Sequence, residues 1–259
     1  MGLYTVTKAG NLPMLKRSDN MNDTFRRYEE KFLLTPTQYD DLLSRLEERI
    51  RPDQFCKSNV CSLYFDTLDF RLIRASLEKP VYKEKLRLRS YGVPTPNSTV
   101  FLEIKKKYNG IVYKRRVPMT LTEAENYMSH RIHPAHDCQI LHEIDWFVRF
   151  YEELVPAVCL FYDREAYVSR DNPELRFTFD TDILWRDTNL RLSTGAGGQS
   201  LLEKDRHLME LKIPGAMPVW LAELLDLMGL HPTSFSKYGT VYQQFLSGRK
   251  AQERRSSCA

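Results

Sequence analysis

Basic and apolar side chains alternate with a period of two along residues 81–90, VYKEKLRLRS. Lys85, Arg87 and Arg89 share one face of the predicted strand, and the leucines between them lie on the other face. Because several other segments repeat this alternation, the sequence predicts a sheet with one apolar face and one strongly basic face. A basic face of this kind favours a polyanionic ligand.

Eight segments have the alternation and the β-branched or aromatic content that are typical of strands. Asn109-Gly110 separates two of them and suits the positive φ angles of a tight hairpin turn, so these two strands are predicted to be antiparallel. The predicted strands are 26–34, 58–66, 81–90, 100–107, 110–117, 160–168, 174–182 and 207–213.

Helices are predicted between the strands, in an order that indicates an α+β fold and not an alternating α/β fold. The first helix begins at Pro36, with Thr35 as its N-cap. Residues 190–204 contain the sequence GAGG but no flanking strand and helix that would form a phosphate-binding loop, so we expect a flexible loop there. The predicted helices are 36–50, 69–78, 120–129, 142–153, 217–228 and 235–246.

The length and composition of the chain fit one globular domain over residues 24–247, between flexible tails at 1–23 and 248–259. The five cysteines form neither a CxxC pair nor a zinc-ligand pattern, which predicts reduced thiols and a cytoplasmic location. No segment approaches the roughly 20 apolar residues of a membrane span, and the N-terminus lacks the apolar core of a signal peptide.

The charged faces of the predicted strands carry thirteen cations and five carboxylates. For any single strand, the simpler interpretation is a solvent-facing side of a sheet packed on helices. Repetition over all the strands favours an eight-stranded closed antiparallel β-barrel with helices packed on the outside and the charges facing inward. Such a lumen must hold water or a strongly anionic ligand, because dry cations would repel one another. The cations are Arg27, Lys31, Lys83, Lys85, Arg87, Arg89, Lys105, Lys107, Lys114, Arg116, Arg164, Arg176 and Lys212, and the carboxylates are Glu29, Glu103, Asp180, Asp182 and Glu210.

An ordered series of short motifs extends over residues 24–246 and resembles the triphosphate tunnel metalloenzymes, in particular the VTC-type polyphosphate polymerases. Each motif is modest by itself, but their order is specific. The motifs are RYEEKFLL, SLYFDT, KLRLRSYG, FLEIKKK, YKRRV, YDREAY, LRFTFDTDI, MELKIP and SFSKYGTVY.

The resemblance implies a tunnel in which basic side chains bind phosphate while Glu210 binds Mn²⁺ or Mg²⁺. Glu29 and Glu103 are further candidates for metal or proton transfer, with pairing to tunnel cations as the alternative. Tyr162 and Thr178 are expected either to donate hydroxyls to phosphate or to pack. The implied catalytic residues are Lys31, Arg87, Arg89, Lys105, Arg164 and Arg176, and the implied phosphate-binding residues are these six with Lys114, Tyr162, Lys212 and Lys237. Lys83 and Lys85 match no family position and are predicted at the tunnel mouth.

One departure from the wider superfamily favours the polymerase branch. Its hydrolases and cyclases tend to begin with ExExK, whereas this chain has Arg27-Tyr28-Glu29-Glu30-Lys31, with a cation in place of one carboxylate. The leading hypothesis is therefore a polymerase that transfers the γ-phosphate of ATP onto inorganic polyphosphate.

A tripolyphosphate or nucleoside triphosphate hydrolase and a non-catalytic polyphosphate-binding module remain alternatives. Nucleic acid is disfavoured as a ligand, because the aromatic residues lie mostly opposite the cations. A separately encoded membrane protein is a further candidate partner, which would place the protein at the cytoplasmic face of a membrane. The sequence leaves the oligomeric state open.

Overall fold

A computed structural model describes residues 27–109 and 111–248. The predicted tails lie outside these residues, apart from Gly248. One antiparallel sheet dominates the fold, and all eight predicted strands occur in it. The strands are β1 (Arg27–Leu34), β2 (Ile50–Thr67), β3 (Tyr82–Tyr91), β4 (Thr99–Tyr108), β5 (Ile111–Thr120), β6 (Leu154–Ser169), β7 (Arg176–Arg186), the short β8 (Gln199–Ser200) and β9 (His207–Pro214).

The sheet runs in the order β1-β9-β7-β6-β2-β3-β4-β5, and β8 pairs with β7. The prediction of a closed barrel is wrong, because β1 and β5 end this path and no backbone pairing joins them within the described residues. The sheet nevertheless curls, since Nζ of Lys105 on β4 lies 3.3 Å from a carboxylate oxygen of Glu29 on β1.

The two edge strands, β1 and β5, each have features that disfavour pairing between them. At the free edge of β1, the N–H of Thr233 donates to the carbonyl of Lys31 at 2.7 Å, so a later segment of the chain takes the place of a neighbouring strand. The other edge strand, β5, contains Pro118, which has no N–H, and three consecutive cations from Lys114 to Arg116. Proline and clustered charge both discourage pairing at a sheet edge.

All six predicted helices are present, and their bounds differ from the prediction by a few residues. Thr35 caps the first helix and forms a capping box with Gln38. Within the described residues, no helix is both long enough and apolar enough to cross a bilayer. The helices are α1 (Pro36–Leu46), α2 (Arg71–Leu77), α3 (Leu121–His130), α4 (Gln139–Phe150), α5 (Val219–Leu227) and α6 (Lys237–Val241), which continues as one π-helical turn (Tyr242–Leu246).

The apolar face of the sheet packs outward onto helices, so its charged face lies on the concave side. Phe177 and Leu211 share one core with Leu42 of α1 and Leu221 of α5. A second core joins the outward side chains of β3 and β4 to α3 and α4. Burial of these apolar faces stabilises the fold and thereby fixes which way the cations point.

The segment predicted to be a flexible loop contains a 3₁₀ turn (Leu192–Thr194) and the strand β8. The guanidinium of Arg186 donates to the carbonyls of Asn189, Arg191 and Gly195, which holds the segment against β7. At Gly198 a Cβ would lie 2.1 Å from the carbonyl oxygen of Trp185, so the GAGG sequence serves close backbone packing.

Asp66, at the end of β2, joins α2 and α6 to the concave side of the sheet. Its buried carboxylate accepts the N–H groups of Thr67, Leu72 and Ile73 at 2.9, 2.8 and 3.0 Å and the hydroxyl of Tyr238 at 2.8 Å. One side chain therefore caps α2 and fixes the helix that carries Lys237.

Replacement of Asp66 by alanine leaves several buried donors unpaired, and we expect the free energy of unfolding to fall by about 3 kcal/mol. Tyr238→Phe removes one of the same hydrogen bonds and is expected to cost about 1 kcal/mol. Urea denaturation of both variants measures the difference, and equal losses would contradict the central position of Asp66.

Candidate anion-binding site on the concave face

The strand register places the predicted site residues on the concave face. Lys31 on β1 lies opposite Glu210 on β9, and Glu210 lies opposite Thr178 on β7. Residues paired in this way share one side of a sheet. The same register gives the concave face the pairs Arg176 with Lys212, Arg164 with Asp180, Arg87 with Glu103, and Lys105 with Lys114.

Glu103 forms the first of two buried ionic clusters and is 1% exposed. One of its oxygens accepts from Nε of Arg87 at 2.7 Å, and the other lies 2.9 Å from Nζ of Lys114. Arg89 approaches to 3.9 Å. Burial alone would raise the pKa of Glu103, but Arg87, Arg89 and Lys114 outweigh burial and lower the pKa to about 2. Both oxygens of this predicted metal or proton-transfer candidate thus face cations.

Asp180 forms the second buried cluster and is completely buried. Arg164 donates to both carboxylate oxygens, at 2.6 and 2.7 Å, and Nζ of Lys237 donates to one of them. Burial opposes ionisation, yet Lys237 and Arg164 keep the pKa of Asp180 below its ordinary value. This contact brings α6 onto the sheet and Lys237 onto the concave face.

Two tyrosines support the cations of these clusters. The Tyr162 hydroxyl accepts from Arg89 at 3.2 Å, and its ring centre lies 4.4 Å from Nζ of Lys237. The Tyr64 hydroxyl accepts from Arg87 at 3.0 Å. Burial would raise the pKa of Tyr64, but the nearby Arg87, Arg89 and Lys85 lower it to about 7. The sequence prediction missed Tyr64, although it is the cross-strand neighbour of Arg87.

The remaining predicted phosphate-binding residues are more accessible. Nζ of Lys212 lies 3.5 Å from Glu210, and the side chain of Lys105, near Glu29, is 40% exposed. Arg176 approaches Asp53 to 3.6 Å and is 45% exposed. These cations are available to a ligand that enters the concave face.

The placement of Lys85 corrects the sequence prediction, which put it with Lys83 at the tunnel mouth. Lys85 is largely buried, and its Nζ donates to the hydroxyl of Ser236 at 3.2 Å. Lys83 donates to the carbonyl of Ser76 instead. The alternation predicts on which face of the sheet a side chain lies, but it does not predict how deeply that side chain is buried.

Glu210 is the carboxylate best suited to a metal in this arrangement. Burial would raise its pKa, but Lys212, Lys31 and Arg164 hold the pKa well below its ordinary range, so the side chain is ionised. Opposite it, the hydroxyl of Thr178 is buried and has no hydrogen-bond partner among the described residues. An unpaired buried hydroxyl beside an ionised carboxylate fits an additional polar ligand.

The donor set fits a divalent cation that arrives together with phosphate. The described residues contain no cluster of three or more His, Cys, Asp or Glu side chains able to hold a metal ion. Glu103 and Glu29 lie 2.7 and 3.3 Å from Arg87 and Lys105, whereas the ion pair of Glu210 with Lys212 is longer, at 3.5 Å, which makes Glu210 the least tightly paired of the three and the most available to a metal. Mg²⁺ is commonly held by one or two carboxylates together with substrate phosphates.

Cations outnumber carboxylates on the described concave face, which leaves positive charge that the protein itself does not neutralise. Exposed charges of like sign repel weakly in water, but partly buried ones repel more strongly. An anion that entered would relieve this repulsion. The cations are Lys31, Lys85, Arg87, Arg89, Lys105, Lys114, Arg116, Arg164, Arg176, Lys212 and Lys237, and the carboxylates on this side are Glu29, Asp53, Asp66, Glu103, Asp180 and Glu210.

Glu103→Gln removes the charge that Arg87 and Lys114 share, and we expect it to lower the free energy of unfolding by about 3 kcal/mol. Glu29→Gln is the matched control, because its ion pair with Lys105 is partly exposed and is worth at most about 1 kcal/mol. Addition of tripolyphosphate should raise the melting temperature of the Glu103 variant more than that of the wild type. Equal stability of the two variants would contradict this role of Glu103.

The same residue predicts a pH dependence. Because the folded-state pKa of Glu103 lies below the ordinary value of 4.5, its contribution to stability is present above about pH 4.5 and is lost as the pH falls towards about 2. Urea denaturation between pH 6 and 3 should therefore show the wild type and Glu103→Gln converging in stability. Parallel curves would exclude Glu103 as the source.

Comparison with known proteins identifies the family. The family model described as the VTC domain matches residues 26–246. A proposed adenylate cyclase from Bacillus halodurans has a similar structure, with a TM-score of 0.52, 15% identity, and coverage of 84% of this chain and 96% of that one. A proposed adenylyl cyclase from Hippeastrum with a dominant triphosphatase activity gives a TM-score of 0.47 and 18% identity, over 83% of this chain and 94% of that one.

A proposed adenylate cyclase from Vibrio parahaemolyticus gives a TM-score of 0.46 and 13% identity, over 84% of this chain and 97% of that one. No curated protein sequence matches the chain significantly. Because their sequence identities are low, the solved structures indicate a shared fold only. The family model covers nearly all of the described residues. The chain therefore belongs to the VTC-domain family.

Proposed function

We propose that the protein is a polyphosphate polymerase of the cytoplasm, which transfers the γ-phosphoryl group of ATP onto a growing chain of inorganic polyphosphate. The observation that carries this proposal is the excess of cations over carboxylates on the concave face. Membership of the VTC-domain family supports it. A linear polyanion is the ligand that such a face would stabilise along its length.

In the proposed reaction, a terminal oxygen of the polyphosphate attacks the γ-phosphorus of ATP. A new P–O bond forms, the bond between the γ-phosphorus and its bridging oxygen breaks, and ADP leaves with the electron pair. The attacking oxygen is already ionised at neutral pH, so the reaction requires no general base. Catalysis then consists of positioning the two phosphates in line and neutralising their charge.

The buried clusters suit this task because they fix the arginines before any ligand binds. Arg87 is held by Glu103 and Tyr64, and Arg164 by both oxygens of Asp180. Each guanidinium has five N–H donors, so donors remain for phosphate oxygens after these contacts are made. Fixed donors need little reorganisation when negative charge develops on the transferred group.

Glu210 would hold the divalent cation, Mn²⁺ or Mg²⁺, together with phosphate oxygens of the substrate. Bound there, the cation would supply further charge neutralisation on the phosphates. Lys31 on β1 and Lys212 on β9 lie beside Glu210 and would bind the same phosphates. The hydroxyl of Thr178 would gain a partner in the same step.

The partners of the proposed enzyme are ATP and polyphosphate. Nucleic acid is a poorer ligand, since Tyr64 and Tyr162 on the concave face are engaged by arginines and do not offer free ring faces for base stacking. Delivery of the product to a separately encoded membrane protein at the cytoplasmic face is part of the same proposal.

Incubation of the purified protein with ATP and Mn²⁺, followed by gel separation of the products, tests the proposed activity. A ladder of polyphosphate chains is expected. Orthophosphate as the sole product would contradict polymerisation and favour a hydrolase. Binding of ATP and polyphosphate without turnover would contradict enzyme function and favour a binding module.

Glu210→Gln tests the proposed metal-binding position. We expect ladder formation to require at least about tenfold more Mn²⁺, because a neutral amide is a much weaker ligand than a carboxylate. Glu203→Gln is the control, since that carboxylate is 82% exposed and pairs with Arg206. If Glu210→Gln left both turnover and Mn²⁺ binding unchanged, Glu210 would not be the metal ligand.

A further inference from the structure

Lys85 has no carboxylate partner among the described residues, unlike the arginines and lysines of the two ionic clusters. Arg87 and Lys114 share Glu103, and Arg164 and Lys237 share Asp180. The only hydrogen-bond partner of Lys85 in the described chain is the hydroxyl of Ser236. A largely buried ammonium group with one neutral partner has lost hydration that no protein charge replaces.

A second lysine meets the same short segment. Nζ of Lys31 donates to the carbonyl of Phe235 at 2.7 Å, and Nζ of Lys85 donates to Ser236, the next residue. Two ammonium groups from β1 and β3, on opposite sides of the curled sheet, are thus brought to adjacent residues just before α6. The two ammonium groups repel each other, Glu210 offsets part of that repulsion at Lys31, and an anion in contact with both groups would relieve the rest.

Ser236 adds a donor to this corner. Its hydroxyl oxygen already accepts from Lys85 and from the N–H of Gly239, both at 3.2 Å. Since both of these contacts use the oxygen as an acceptor, the hydroxyl proton is free to donate to a further group. The corner therefore offers donors from three side chains.

Three further lysines near Lys85 add to the positive charge that an anion would neutralise. Lys31 on β1, Lys83 on its own strand and Lys105 on β4 are cations that disfavour its charged form, whereas Tyr64 on β2 favours it. Burial and these three lysines lower the pKa of Lys85 to about 8, against the favourable effect of Tyr64. Lys85 is therefore charged at neutral pH and loses that charge in mildly alkaline solution.

We propose that the corner formed by Lys31, Lys85 and Ser236 binds one phosphate group of the polyphosphate chain, with Lys85 as a phosphate-binding residue. This inference rests on the proposed function, because it assigns a position within the same concave face. It separates that position from the Glu103 and Asp180 clusters, whose carboxylates already neutralise part of the cationic charge.

Isothermal titration with tripolyphosphate, without metal or nucleotide, tests the assignment on the whole chain. Lys85→Met should weaken binding at pH 7 by about tenfold, the effect of losing one charge-assisted hydrogen bond. It should also raise the melting temperature without ligand, because an unpaired buried charge is removed. A lysine with a merely structural role would lower it. Lys106→Met is the matched control, since Lys106 lies on the outward face of β4 near Glu143.

Lys85→Arg provides a second test that does not depend on loss of the side chain's charge. Arginine stays protonated above pH 8, so this variant should retain affinity between pH 8 and 9 better than the wild type does. Because both proteins are titrated with the same ligand at each pH, the ionisation of tripolyphosphate affects both affinities equally and does not contribute to their difference.

Tripolyphosphate affinity within twofold of the wild type in Lys85→Met, with unchanged pH dependence in Lys85→Arg, would overturn the assignment of Lys85. Absence of tripolyphosphate binding in the wild type would instead overturn the proposed function. The two failures are therefore distinguishable in one set of titrations.

Discussion

The cost of holding many cations on one curved surface is the constraint on which this structure depends. Two fully buried carboxylates, Glu103 and Asp180, offset part of the repulsion between these cations, and each pairs with at least two of them. Loss of either would leave desolvated positive charge without compensation. The apolar cores that face α1, α3, α4 and α5 keep the cations turned inward, because reversal of the sheet would expose both cores.

The C-terminal part of the described chain completes the site. The segment before α6 lies along the free edge of β1 through Thr233 and meets the ammonium groups of Lys31 and Lys85. The helix α6 is then fixed by Asp66 and Asp180, which lie on β2 and β7. The same contacts that leave the sheet open therefore carry Ser236 and Lys237 onto the concave face.

Much of this arrangement could be predicted from the sequence, because period-two alternation reports the face of each side chain directly. The strands and the shared face of Lys31, Arg87, Arg164 and Lys212 follow from this alternation, while the helices follow from their capping residues and their place between the strands. Barrel closure was predicted wrongly because Thr233 and Lys31 are about two hundred residues apart, and no local pattern reports that contact. The depth of Lys85 and the support of Arg87 by Tyr64 also depend on contacts between distant segments.

A crystal structure of the protein with tripolyphosphate and Mn²⁺ tests the central claim most directly. We expect a phosphate chain on the concave face, in contact with Arg87, Arg164 and Lys31, and a metal ion at Glu210. A phosphate chain bound to the outward face, for example near Lys106 and Arg115, with only water beside Arg87 and Arg164, would contradict it.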